Sequence, residues 1–346
     1  MSWYKNTPVQ ARPVITLIVI AAFMSLYMGF LRGDLYLQNP MIAALEATSR
    51  GDSATPFQYR ILMPWLIDHL ATWLALPTPR PLVRIYESLM AFLTTVALYA
   101  YLFRICKNGW IALVFALGFF YLYPFLYLNV PWTRAYYPSD IASILLFTLG
   151  LFLLYDKQYW QYYVVLAIGM FNRETIAFLL LAFAFSQYGK IDRRVFVLHM
   201  FGQIALVAAI KLWLAYIFRD NPGAGLYSLD NNLSERGLPA TIQSSRMYIN
   251  AMLFMSWNSF VNMTSFMGFL WLPLIFLWNR IENDFVRKTA FIIPCFFAGM
   301  FLVGNLYEFR IFGELVPIFL GALCHITANA MKCANNPGAA NSSNGS

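Results

Sequence analysis

Apolar runs long enough to cross a lipid bilayer recur along this chain, separated by short polar connections. The first, Val14–Phe30, follows Lys5 and Arg12 and reads as an uncleaved span with a cytoplasmic N-terminus. Further spans are expected over 84–103, 109–128, 141–155, 195–217, 263–279, 288–305 and 312–331. Between them, Trp160–Tyr188 is interrupted by Asn172-Arg173-Glu174-Thr175. One straight helix would put Arg173 and Glu174 near mid-membrane, at a cost of several kcal/mol. Two short helices meeting at the tetrad as a hairpin avoid that. Phe57–Leu76 carries Arg60, Asp68 and His69 among apolar residues, which suits an interfacial helix. The runs do not alternate with period two, so a barrel is excluded. The expectation is an all-α transmembrane bundle of about ten membrane helices, with one membrane domain over 1–333 and a low-complexity, disordered tail over 334–346.

Composition agrees. The 346 residues are 60% hydrophobic and 12% charged, with a mean hydropathy of +0.57, whereas soluble domains carry about 25% charged residues. A soluble role is excluded. The net charge of +8 reads as a cationic cytoplasmic face rather than a nucleic-acid surface. Outside the spans, every lysine (Lys5, Lys107, Lys157, Lys190, Lys288, Lys332) falls in a connection on one side, and the opposite loops hold arginines only. That pattern places both termini in the cytoplasm of what reads as a bacterial inner membrane. Four scattered cysteines and three histidines form no metal-ligand spacing.

In this threading the unusual polar groups gather on the external face. Asp34 follows the first span, and Arg60 lies in the first external segment, 32–83. Arg134 precedes Ser139 and Asp140, which open a helix with Ser139 as its expected cap. Arg173 and Glu174 form the hairpin tip. Glu308 and Arg310 precede the last span, with Glu314 one turn beyond Arg310 on the same helical face. Bland roles exist for each: headgroup contact for Arg60 and Arg134, an intrahelical pair for Arg310 and Glu314, a loop acid for Asp34. Acids and arginines from five regions at one membrane level nevertheless point to a single cavity. Arginine's planar fork suits phosphate, and a nearby carboxylate can act as general base towards a hydroxyl.

An acid just after the first span, an interfacial segment in the first external loop, later helix starts carrying acids and arginines, and a broken hairpin resemble the GT-C superfamily of membrane glycosyltransferases. The resemblance is architectural, over about residues 10–331. It implies sugar transfer from a polyprenyl-phosphate donor to an envelope glycan, lipid or protein acceptor. It also implies Asp34 as catalytic base, with Asp140 and Glu174 as further catalytic candidates. Phosphate and sugar contacts would fall to Arg60, Arg134, Arg173, Glu308, Arg310 and Glu314. Whether a divalent metal ion takes part is left open. The residues themselves also admit a polysaccharide polymerase or ligase, or a secondary transporter.

Overall fold

A computed structural model describes residues 11–37, 41–53, 57–76, 79–128, 137–221, 246–304, 306 and 308–335. These residues are helical and contain no strand. Six segments are long and apolar enough to cross a membrane: Ala11–Arg32, Pro81–Cys106, Gly109–Tyr127, Arg193–Ile217, Asp284–Leu302 and Phe309–Lys332. Among the described residues six helices thus meet the length and hydropathy of a span, Ser139–Tyr155 and Glu174–Gln187 are shorter apolar helices, and the expected total of about ten membrane helices is not confirmed.

The helices are α1 (Ala11–Leu37), α2 (Met41–Arg50), α3 (Leu62–Trp73), α4 (Arg80–Cys106), α5 (Gly109–Tyr127), α6 (Ser139–Tyr155), α7 (Tyr159–Asn172), α8 (Leu179–Gln187) and α9 (Arg193–Ile217). They are followed by α10 (Arg246–Met255), α11 (Trp257–Thr264), α12 (Trp271–Phe276), α13 (Asp284–Ala290), α14 (Ile292–Val303) and α15 (Val316–Asn335). Boundaries follow local chemistry. Pro81 lies in the first turn of α4, where its missing N–H is not needed. The Asn108 side chain accepts from the backbone N–H groups of Trp110 and Ile111 and so starts α5. Asp192 caps α9 in the same way through Arg194 and Val195.

The last span is the centre of the bundle: 94% of its most apolar window is buried, against 6% for α9, which stands at the edge. α4 packs along α1, α5, α6 and α15. The α1–α4 crossing is set by Gly29, where an added Cβ would lie 2.2 Å from Ser88 Oγ and 2.6 Å from Ser88 N. Only glycine permits that approach. Arg32 is one turn further along α1 and Glu87 adjoins Ser88, so this close crossing also brings those two charges into range.

The expected broken hairpin is present, and one expected span, 263–279, takes another form. Residues 160–188 break at Arg173, whose extended backbone (φ −165°, ψ 142°) separates α7 from a 3₁₀ turn over Glu174–Phe178 and then α8. The chain doubles back there. The Tyr159 hydroxyl, at the start of α7, donates to Gln187 Oε1 at the end of α8 at 3.1 Å, and Tyr162 donates to the Leu179 carbonyl at 2.9 Å. The 263–279 run is not a continuous helix. Met267, Gly268 and Phe269 all have positive φ (50°, 56° and 65°), dividing it into α11, a 3₁₀ turn and α12. Hydropathy alone does not register backbone handedness, and Gly268 was the local cue. The segment Phe57–Leu76 forms a short 3₁₀ turn and α3, too short to span. Most of the proposed tail lies outside the described residues.

The bundle has two chemically distinct ends. At one, Arg104 pairs with Asp156 at 2.8 Å and Lys190 with Asp284 at 2.7 Å; Lys107 and Lys157 occupy the turns there. At the other, the start of α4, the start of α6, the hairpin tip and the start of the last span converge. The crossing at Gly29 supports a direct test. Gly29→Val should destabilise the purified chain by about 1–3 kcal/mol through overpacking against Ser88, read as a lowered thermal midpoint in detergent. An unchanged midpoint would show that α1 and α4 do not meet there.

Candidate functional site

The convergent end holds a connected set of charges with Asp140 at its centre. Asp140 lies in the first turn of α6 and is fully buried. Its Oδ2 accepts from Arg32 Nη2 at 3.0 Å, and its Oδ1 accepts from Arg173 Nη1 at 3.1 Å and Arg310 Nη1 at 3.4 Å. Thus α1, the hairpin tip and the 3₁₀ turn Phe309–Leu315 each send an arginine to one carboxylate. Arg32 also reaches Glu87 Oε2 on α4 at 3.0 Å, and its guanidinium lies over the Tyr127 ring at 4.3 Å. Arg173 Nε is 3.8 Å from Glu314 Oε1, the oxygen to which Thr175 donates.

Three cations (Arg32, Arg173, Arg310) and three acids (Glu87, Asp140, Glu314) make up this core, each 4% exposed or less. A neutral total is what burial in a low dielectric requires, because each lone ion would cost several kcal/mol. Neutral groups fix the frame. Asn172 donates to the Ser139 carbonyl at 3.0 Å and to Ser143 Oγ at 2.8 Å, tying the hairpin to α6. Tyr86 donates to the Pro138 carbonyl at 2.7 Å and ties α6 to α4.

Around this core lies a more open rim. Glu174 faces Arg60 Nε at 3.4 Å and Lys211 Nζ at 3.5 Å, with side chains 27%, 18% and 25% exposed. Glu308 pairs with Arg310. Phe57 and Tyr137 stack at 5.5 Å, Arg310 lies 4.2 Å over Tyr137, and Lys211 lies 5.0 Å over Tyr59. Burial raises the phenol pKa values of Tyr137 and Tyr59, so both rings present neutral hydroxyls at physiological pH. Arg310 Nε and Glu314 Oε2 are buried and have no hydrogen-bond partner among the described residues.

The structure therefore brings together Arg60, Asp140, Arg173, Glu174, Glu308, Arg310 and Glu314. It packs the inner members against one another, where the sequence pointed to a cavity. The side chain of Asp34 and the whole of Arg134 lie outside the described residues. Two local expectations change. Ser139 is the first residue of α6, not its cap: Pro138 holds that position, and the Ser139 carbonyl is used by Asn172. Arg310 and Glu314 do not pair with each other, because the 3₁₀ turn has three residues per turn and places i and i+4 on different faces. Each instead serves a different partner.

Sequence reasoning assigned no role to Arg32 or Glu87 and passed over Tyr137. Glu87 had a readable signal, as a lone acid inside an apolar run that is functional or paired by default. Arg32 looked like an ordinary loop arginine because helix α1 continues past it to Leu37. Among the described residues no group of three or more His, Cys, Asp or Glu side chains could hold a metal ion. Comparison with family models, curated proteins and solved structures finds no match.

The charge balance can be tested by a substitution cycle. Arg32→Met takes a cation from both Glu87 and Asp140 and should cost about 3–5 kcal/mol, seen as poor folded yield. Arg32→Met with Glu87→Leu restores neutrality and should recover much of that yield. A double variant as impaired as the sum of the two single ones would show that the residues are not coupled.

Proposed function

We propose that this chain is an integral-membrane glycosyltransferase that takes a sugar from a polyprenyl-phosphate donor and gives it to a glycan, lipid or protein acceptor. The observation that carries the reading is the partly open Glu174, held between Arg60 and Lys211 beside stacked aromatic rings and backed by a rigid arginine cluster. In this reading the lysine-rich end is cytoplasmic, as lysine-rich loops generally are, and the site is extracytoplasmic. A nucleotide-sugar pool is absent there, so a lipid-borne donor fits.

In this mechanism a carboxylate accepts the proton of an acceptor hydroxyl as its oxygen bonds to the anomeric carbon. The bond from that carbon to the phosphate oxygen breaks, and its electron pair leaves with the lipid phosphate. Arg60 and Lys211 lie where that phosphate's charge could be balanced. Glu174 is the base favoured by geometry, and Asp34 the one favoured by the GT-C resemblance. Asp140 has both oxygens occupied by arginine donors and acts as a positioning residue. Phe57, whose ring is partly exposed, offers a flat apolar face on which a sugar ring could stack.

A second reading, a secondary transporter, draws on the charge-balanced core and the helix broken at Arg173, both of which occur at solute sites. One assay pair separates them. Purified enzyme given lipid-phosphate sugar and membrane acceptor should transfer, and Glu174→Gln should lower that rate by about 10²–10⁴-fold while accumulating normally. Arg60→Lys should weaken donor binding although charge is kept, because the bidentate fork is lost. Unchanged transfer by Glu174→Gln, with loss in Asp34→Asn, moves the base to Asp34. No transfer from any lipid donor, together with solute uptake into proteoliposomes, would replace the proposal with the transporter.

Sidedness has its own check. Single cysteines placed at 107 and 157 should resist membrane-impermeant thiol reagents in intact cells, and one placed at 60 should react. The reverse pattern would put the rim in the cytoplasm.

A further inference from the structure

At the opposite end of the bundle, α8, α9 and α13 leave two adjoining grooves of about 370 and 520 Å³ that share Tyr188 and Phe196. Their walls are apolar, formed by Phe185, Phe291 and Val197 with those two rings. The apolar surface is open: Tyr188 is 72% exposed and Val197 55%. Cations surround the mouth. Lys288 lines one groove and Arg193 the other, and Lys190, Arg194 and Arg287 adjoin them in sequence. Against these five stand Asp192 and Asp284, leaving an excess of three positive charges. Both acids are already engaged: Asp284 with Lys190 and Lys288 at 2.7 and 3.2 Å, Asp192 as the cap of α9. Arg193 has no carboxylate partner among the described residues.

An apolar slot along the helices that opens beneath an unbalanced cationic rim matches one kind of molecule, with a hydrocarbon chain at one end and a negative headgroup at the other. We propose that this groove is a binding site for an anionic phospholipid of the adjacent leaflet. Its acyl chain lies against Phe196 and Phe291, and its phosphate is held by Arg193, the unpaired cation that lines the groove. Basic pockets between membrane helices take anionic headgroups by this division of labour. The site is at the other end of the bundle from Glu174, and the inference does not depend on the transferase reading.

Trp278 provides a local reporter, since its ring meets Phe291 edge-on at 5.6 Å. The full chain is reconstituted in phosphatidylcholine nanodiscs with a small fraction of phosphatidylglycerol brominated on its acyl chains. Quenching of Trp278 is taken as the difference between the parent and Trp278→Phe. Brominated phosphatidylglycerol should quench it more strongly than brominated phosphatidylcholine at the same fraction. That preference should fall about fivefold for Arg193→Gln, and Lys332→Gln, a cation elsewhere at the same end, should leave it unchanged. Equal quenching by the two lipids would overturn the proposal, as would an equal effect of Lys332→Gln, which marks diffuse surface charge. Absence of quenching by either lipid, with the chain migrating as a dimer, would assign the groove to a second copy instead.

Discussion

A carboxylate that accepts from three guanidinium groups, each carried by a different part of the chain, is the constraint on which this end of the molecule depends. Asp140 is fully buried, and in a low-dielectric interior its charge is tolerable only when matched. The matching comes from α1, the hairpin tip and the turn that enters the last helix. Those three arginines in turn require Glu87 and Glu314, since Asp140 alone cannot balance them. The helix–helix crossings that bring them together follow from the same need. Gly29 lets α1 lie against α4 closely enough for Arg32 to reach Glu87, and Asn172 holds the broken hairpin onto α6.

The break at Arg173 shows how a local backbone choice serves that cluster. Had the chain continued as a helix, Arg173 and Glu174 would point in directions about 100° apart within apolar surroundings. In an extended conformation Arg173 turns inward to Asp140, and Glu174 turns to the rim beside Arg60 and Lys211. One dipeptide thereby links a rigid, neutral interior to a more open surface where chemistry is possible. Arginine dominates the interior because its charge persists on burial and its fork reaches two acceptors at once. Lysines gather mainly at the far end, where they meet exposed acids.

Much of this was legible in the residues. The polar tetrad in an apolar run foretold the break in 160–188, and the concentration of acids and arginines at helix starts foretold where they would meet. Less legible was how they pair. Linear spacing matched Arg310 to Glu314, but the turn there is 3₁₀, so each finds a partner more than a hundred residues away in sequence. Arg32 was hidden by a helix that outlasts its apolar stretch, whereas Glu87, a lone acid inside an apolar run, carried a readable signal. Residues 263–279 were mistaken for a span because hydropathy sums side chains, whereas the break lies in backbone handedness at Met267, Gly268 and Phe269.

The proposed transferase places its chemistry at the rim and leaves the interior to position it, which is why Asp140 is given no proton to carry. The account's central claim is the convergence itself, and a side-chain-resolution cryo-electron microscopy map of the chain in a nanodisc tests it most directly. The account predicts density for Arg32, Arg173 and Arg310 joined to Asp140, with Glu174 between Arg60 and Lys211. Density that carries any of the three arginines away from Asp140, into lipid or towards the lysine-rich end, would contradict it.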